Sequence, residues 1–208
     1  MISLSKSQKQ LLAKLATPHK IQDYLDGIRF NHEEGGETLC SPLVVIKKRQ
    51  AHCLEGALLA AAALWSHGHE PLLLDLKTVG PPKDFDHVVA LFKQGGHWGA
   101  ISKTNHGVLR YRDPIYKTIR ELALSYFHEY FIASGEKTLR SYSRPFNLKK
   151  FGNAWIDSAE DLWEIGEALD TSPHIPFATS TALRMLRNAS ITERKVGEHV
   201  EWKKAVKK

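Results

Sequence analysis

Apolar residues in the first third of the chain recur at helical spacing. A hydroxyl residue followed by proline is the pattern of an N-cap and a first helical residue, and it begins two helices, at Thr17–Pro18 and at Ser41–Pro42. The second helix is predicted to run to Lys48. The run Ala60 to Trp65 is apolar on every side, which predicts a buried central helix that begins near Cys53. Helices therefore come first in this chain.

After this helix the apolar runs shorten to strand length. Gln94–Gly95–Gly96 is typical of a hairpin turn, and the predicted strands around it span 71–77, 87–93 and 97–103. Weaker patterns predict a strand over 108–111, a helix over 120–132 and a strand over 137–143. Helices followed by a mostly antiparallel sheet indicate an α+β fold.

The C-terminal quarter returns to helical spacing. Ser158–Asp161 resembles a capping box before an apolar helical face, and a further helix is predicted over 180–188. The expected seam lies at 145–152. We therefore divide the chain into a core over residues 1–150 and a C-terminal helical extension over 151–208, which either stands apart or completes the same domain.

Composition indicates a globular protein of one domain. Of its 208 residues, 42% are hydrophobic and 25% charged. No run approaches the roughly 18 apolar residues of a membrane span. Residues 1–6 lack the apolar core of a signal peptide, so we expect a cytoplasmic protein without membrane contact. The net charge of +6 lies in scattered lysine pairs, of which Lys203–Lys204 and Lys207–Lys208 are predicted to form a frayed tail, and nucleic acid is not an expected partner.

Cys53 is the strongest candidate for chemistry. It lies in the first turn of the predicted central helix, where the helix dipole and unpaired N–H groups favour a thiolate over a thiol. His87 begins a predicted strand downstream, so the chain offers a nucleophile and a base on two different elements, as cysteine hydrolases and acyltransferases require. The other cysteine, Cys40, fits a free thiol in a reducing compartment better than a disulfide partner.

The polar neighbours of Cys53 are Gln50, His52 and Glu55. Adjacent residues on a helix point about 100° apart, so His52 is expected on the rim rather than at the thiol. Gln50 either donates its amide to an oxyanion or is solvated. Glu55 is expected to complement the helix N-terminus or to pair with an arginine. The sequence has no HExxH, CxxC, phosphate-loop or dinucleotide pattern, so no metal or cofactor is predicted.

This order of motifs resembles the transglutaminase-like superfamily, the papain-related cysteine transferases and hydrolases. The likeness covers about residues 40 to 120 and rests on three segments, Cys53 to Trp65, Asp86 to Val89 and Gly96 to Ile101. It implies a core helix that presents Cys53 as nucleophile, packed on an antiparallel sheet that presents His87 as base. The implied reaction is acyl transfer or hydrolysis at the amide bond of a peptide, a protein or a small amide.

The chain departs from the family pattern at the third catalytic position. The acidic residue that should orient the histidine falls about four residues after Trp98, where this chain has Ser102. Asn105 is one alternative, through its amide oxygen, because the hairpin places 102–105 opposite His87. Asp113 is another, reaching back from the next segment. In the third alternative the activity is lost and the fold is kept as a binding or scaffolding module.

Overall fold

The computed structural model describes residues 6–202, and helices and strands are interspersed along this part of the chain. The helices are α1 Lys6–Leu12, α2 Pro18–Asp26, α3 Pro42–Lys48, α4 Cys53–Ser66, α5 Ile119–Leu124, α6 Trp163–Asp170, α7 Ser180–Arg184 and α8 Ile191–Gly197. The strands are β1 Arg29–Phe30, β2 Gln50–Ala51, β3 Leu72–Lys77, β4 His87–Gln94, β5 His97–Ile101, β6 Arg112–Tyr116, β7 Ser141–Ser143, β8 Phe146–Asn147 and β9 His174–Pro176.

The described strands form one antiparallel sheet and a small parallel pair. The sheet order is β6-β5-β4-β3-β7-β9, β8 also pairs with β3, and β1 pairs with β2 apart from the sheet. Gln94 pairs with His97 across a turn in which Gly95 and Gly96 have φ of 57° and 81°, so the predicted hairpin is confirmed. Helices and a mostly antiparallel sheet confirm the α+β class.

The sheet is buried on both faces, which explains why its central strand is apolar throughout. Strand β4 alternates between the two faces. Val88, Ala90 and Phe92 belong to the core that contains α4, while Val89 and Leu91 belong to the core beneath α5. Helix α4 is buried from its third to its twelfth residue, as its apolar composition predicts. Helix α4 therefore packs against the face of β4 that carries Val88, Ala90 and Phe92.

A glycine permits the close crossing of α4 and the segment that follows β5. A Cβ atom on Gly56 would lie 2.3 Å from the Cβ of Lys103. Lys103 is itself buried, and its ammonium donates to the carbonyl oxygens of Leu25 and Ile28, at 2.8 and 2.6 Å, at the end of α2. Burial lowers the pKa of Lys103 to about 8. This crossing brings the first turn of α4 close to the residues after β5.

The two N-caps read from the sequence are confirmed. Thr17 accepts the Lys20 N–H at 3.3 Å, and Ser41 accepts the Val44 N–H at 3.4 Å, each before a proline in the first turn. The predicted basic tail lies after Trp202, outside the described residues.

Several predicted elements differ from the observed ones. The capping box at Ser158–Asp161 is wrong, because the Asp161 carboxylate accepts the Leu39 N–H at 3.0 Å and the helix begins at Trp163. The strand over 108–111 is a 3-10 turn, and β6 begins one residue later as an edge strand that tolerates Pro114. The helix over 120–132 ends at Leu124 and is followed by a 3-10 turn. The strand over 137–143 keeps its last three residues only.

The region after residue 150 contributes to the same sheet and core as the region before it. Strand β9 pairs with β7, although the sequence predicted helices alone here. Ile165 and Leu169 of α6 belong to the apolar cluster that contains α4. In the described part of the chain, none of the helices combines the length and the apolar character that crossing a bilayer requires.

Candidate active site

The structure brings Cys53 and His87 together, although they lie on different elements. Cys53 is the first residue of α4 and is partly exposed, while His87 is the first residue of β4 and is buried. Their side chains are in hydrogen-bonding contact. Because the His87 Nε2 atom lies 2.8 Å from the Ser102 hydroxyl, Nδ1 is the ring nitrogen that remains for the sulfur.

His52 also contacts the thiol, so its predicted place on the rim is wrong. The 100° argument assumed a helical residue, but His52 is the N-cap, with extended backbone at φ −88° and ψ −174°. From that position its ring folds back over the first turn, where Nδ1 lies 3.3 Å from the Leu54 N–H. The other ring nitrogen, Nε2, lies 2.9 Å from the carbonyl oxygen of Thr38.

The two histidines change the acidity of the thiol. Burial alone would raise the pKa of Cys53, but hydrogen bonds and charge from His52 and His87 outweigh it and lower the pKa to about 5. Burial alone would lower the pKa of His52, yet the contacts with Cys53, Glu55 and Thr38 raise it to about 9. Cys40 is the opposite case, because burial and the Glu55 carboxylate raise its pKa. The chain therefore has one acidic thiol and one ordinary buried thiol.

Ser102 occupies the position behind His87. It is fully buried, and Gln22 of α2 fixes its backbone by donating to its carbonyl oxygen at 2.9 Å and accepting its N–H at 3.0 Å. The ring of Tyr126, 6.3 Å from the His87 ring between centroids, packs against the imidazole. Among the described residues, a hydroxyl and an aromatic side chain hold the His87 ring, and no carboxylate bonds it.

Neither Asn105 nor Asp113 orients His87, so both sequence alternatives for the third residue are corrected. The Asn105 amide donates to the Trp202 carbonyl oxygen at 2.8 Å and accepts the Trp202 N–H at 2.7 Å. Asp113 is exposed on β6, at the edge of the sheet. Strand alternation gives the reason for Asn105. In the β4–β5 register, residues 102 and 104 continue on the His87 face and 103 and 105 on the other.

A buried carboxylate, Glu55, organises the loop beside the thiol. Glu55 is fully buried and completes a capping box with His52. Its donors among the described residues are the His52 N–H at 2.9 Å, the Cys40 N–H at 2.9 Å, the Thr38 hydroxyl at 2.8 Å and the Asn31 amide at 3.2 Å. Burial alone would raise the pKa of Glu55, but His52 and these donors hold it below the ordinary value. The arginine partner considered from the sequence is not among its contacts in the described structure.

The Gln50 amide is engaged in the same network. Its Nε2 donates to the Asn31 Oδ1 atom at 2.6 Å, and Asn31 in turn donates to Glu55. Gln50 therefore holds the loop of residues 31–38 against the start of α4, and its candidate role at an oxyanion is not supported by this arrangement.

One group of acidic residues in the described chain has the spacing of a cation site. Asp75, Asp86 and Asp170 each bring a carboxylate oxygen within 4.8 Å of the others. Lys77 bonds Asp170 at 2.7 Å, and His174 lies 3.0 Å from Asp75. Because side chains of the protein already bond two of these carboxylates, we assign no metal to the group.

The sequence named Cys53, His87 and Ser102 correctly as neighbours but missed the role of His52 with Glu55. Part of the signal was present, since Glu55 stands three positions after His52 as in a capping box, but histidine is not among the usual N-cap residues. Known protein-family models do not match this chain, and neither do curated protein sequences.

Proposed function

We propose that the protein is a cysteine-dependent enzyme of transglutaminase-like type, which hydrolyses or transfers an acyl group at an amide bond through a thioester. One observation carries the proposal. A partly exposed thiol begins a buried helix and contacts two imidazoles, and its pKa is lowered to about 5. A cysteine kept for packing alone has the raised pKa of Cys40 instead.

In the proposed reaction the Cys53 S–H bond breaks, and its proton moves to His87. The thiolate attacks the amide carbon, the C–N bond of the tetrahedral intermediate breaks, and the departing amine takes the proton from His87. Water then hydrolyses the thioester, or a second amine accepts the acyl group. The Cys53 N–H has no acceptor within the helix, because it lies in the first turn, and it is the backbone donor for the oxyanion.

Ser102 favours one alternative function, a binding or scaffolding module that keeps this fold without turnover. A hydroxyl orients the imidazole but adds no negative charge to stabilise its protonated form. The alternative predicts an acidic thiol that forms no acyl adduct. The absence of an acyl adduct is the outcome that distinguishes the binding module from the enzyme.

The test is intact-mass analysis after incubation with glutamine-containing peptides and small amides, with and without a primary amine. We expect an acyl adduct on Cys53 that hydroxylamine releases, and product that is lost in Cys53→Ala. Cys40→Ala is the matched control, because that thiol is buried, and it should keep activity within about twofold. Absence of both adduct and product in a folded protein would support the binding module instead.

A further inference from the structure

His52 places a second imidazole at the sulfur, in surroundings that hold a positive charge. Its Nε2 lies 2.9 Å from the Thr38 carbonyl oxygen, 3.7 Å from a Glu55 oxygen and 3.9 Å from a Glu33 oxygen. Acceptors on three sides of this nitrogen keep a proton on it. The side chain of His52 is only 15% exposed, so these carboxylates act in a partly desolvated place.

We infer that His52 is a catalytic residue, an imidazolium held by Glu55 that stabilises the Cys53 thiolate while His87 alone carries the transferred proton. The inference rests on the proposed function and assigns separate tasks to its two histidines. His52 supplies fixed charge, and His87 supplies the base and the acid.

The charges around the sulfur support this division. A thiolate and Glu55 contribute two negative charges, and two imidazoliums contribute two positive charges, so these four groups are neutral together. The partly exposed Glu33 adds one further negative charge beside His52. The buried carboxylate lies behind His52 and not behind His87, where Ser102 is uncharged. The network at Cys53 therefore has its carboxylate on the helix side rather than on the strand side. A raised pKa of about 9 for His52 agrees with this arrangement.

In every step the transferred proton moves to or from His87, and the protons on His52 do not change. When the ion pair forms, the Cys53 S–H bond breaks and an N–H bond forms at His87 Nδ1, while His52 keeps both of its N–H groups. A hydrogen bond from the Leu54 N–H to His52 Nδ1, at 3.3 Å, competes with this charged state of His52, because it requires Nδ1 to be unprotonated. The inference requires that in the charged ring this contact is given up and the Nδ1–H donates to the Cys53 sulfur.

The charged groups that face the His52 ring come from two segments. Glu55 and Cys53 belong to α4, and Glu33 belongs to the loop before α3. On α3 the Lys48 ammonium is bonded to the Cys40 sulfur at 3.4 Å. The surroundings of His52 are thus negative. They favour the protonated ring in the pH range between the pKa of Cys53, about 5, and the pKa of His52, about 9.

The first test is the pH dependence of Cys53 alkylation by iodoacetamide in the full chain, with peptide mapping to separate Cys53 from Cys40. The wild type should react with a midpoint near pH 5. His52→Asn provides a good N-cap side chain, which can accept the Leu54 N–H but cannot carry a charge. We expect its midpoint to rise by about one pH unit or more, which at about pH 5 leaves roughly a tenth of the thiol ionised instead of half and makes the reaction roughly fivefold slower or more. A midpoint within about 0.3 of the wild type would overturn the inference.

The second test uses the wild-type protein, so it does not depend on the variant folding. Nitrogen-15 NMR of labelled histidine should show both His52 nitrogens protonated at about pH 7, as a raised pKa requires. A neutral ring with an unprotonated Nδ1 overturns the inference.

Turnover separates the inference from the proposed function. If both hold, His52→Asn regains activity as the pH rises above its new midpoint, whereas His87→Asn does not. If acyl adducts are absent but the midpoint shifts in His52→Asn, the charge role stands and the enzyme proposal fails. If adducts form but the midpoint does not shift, the enzyme proposal stands and the role of His52 fails.

Discussion

At the scale of single residues, the site combines one acidic thiol with two imidazoles of different surroundings. His52 is surrounded by carboxylates and a carbonyl oxygen, and His87 by a hydroxyl and a tyrosine ring. A neutral hydrogen bond orients a ring but contributes less than a charged one, because only the charged bond favours the imidazolium. Ser102 is therefore expected to position His87 without controlling its charge.

Ser102→Ala tests this positioning role. The variant loses one neutral hydrogen bond, so we expect kcat to fall roughly threefold to tenfold, with KM and the midpoint pH of Cys53 alkylation unchanged. Ser143→Ala is the control, because it removes a buried hydroxyl that accepts the Asp75 N–H away from the thiol. A fall above about a hundredfold would mean that Ser102 does more than orient the ring.

At the scale of elements, the start of α4 is set by how closely α4 can approach the segment after β5. The approach depends on a residue without a side chain at Gly56, where the Lys103 Cβ lies 2.3 Å from the place of a Cβ. The apolar pattern predicted the helix itself and the hairpin turn predicted the β4–β5 register. The distance between them was not predictable, because it depends on which residues of two separate segments meet.

Gly56→Ala should therefore destabilise the fold despite the better helix propensity of alanine. Overpacking against a buried side chain costs about 1–3 kcal/mol, and we expect the free energy of unfolding to fall by that amount. Gly166→Ala in α6 is the matched control. Its added Cβ would meet its nearest atom at 3.7 Å, an ordinary contact, so it should stabilise by about 0.5–1 kcal/mol. Denaturant unfolding of both variants measures the difference in their free energies of unfolding. Equal effects would contradict a close crossing of α4 and the segment after β5 at Gly56.

At the scale of the whole molecule, contacts between distant segments account for what the sequence could not supply. Local patterns identified the capped helices and the hairpin, and the pairing of Cys53 with His87 also needed the family resemblance. Asn105 is one of the alternatives that the sequence offers for the residue behind His87, yet it binds Trp202, which lies 97 residues further along the chain. His106 likewise forms a bridge with Val200. Hydrophobic periodicity does not reveal contacts between segments so far apart in the sequence. The sequence alone therefore offers the Asn105 amide as a partner for His87.

Asn105→Ala distinguishes these two roles of the amide. Two hydrogen bonds to the Trp202 backbone are lost, so we expect faster hydrogen exchange at the Trp202 amide and a loss of about 1–2 kcal/mol of stability. The midpoint pH of Cys53 alkylation should stay near 5, because Asn105 does not contact His87. Asn147→Ala is the control, because this half-buried amide donates to Glu70 and accepts the Lys149 N–H far from the thiol, and its loss should leave exchange at the Trp202 amide unchanged. An upward shift of the alkylation midpoint with unchanged exchange at Trp202 would instead return Asn105 to His87.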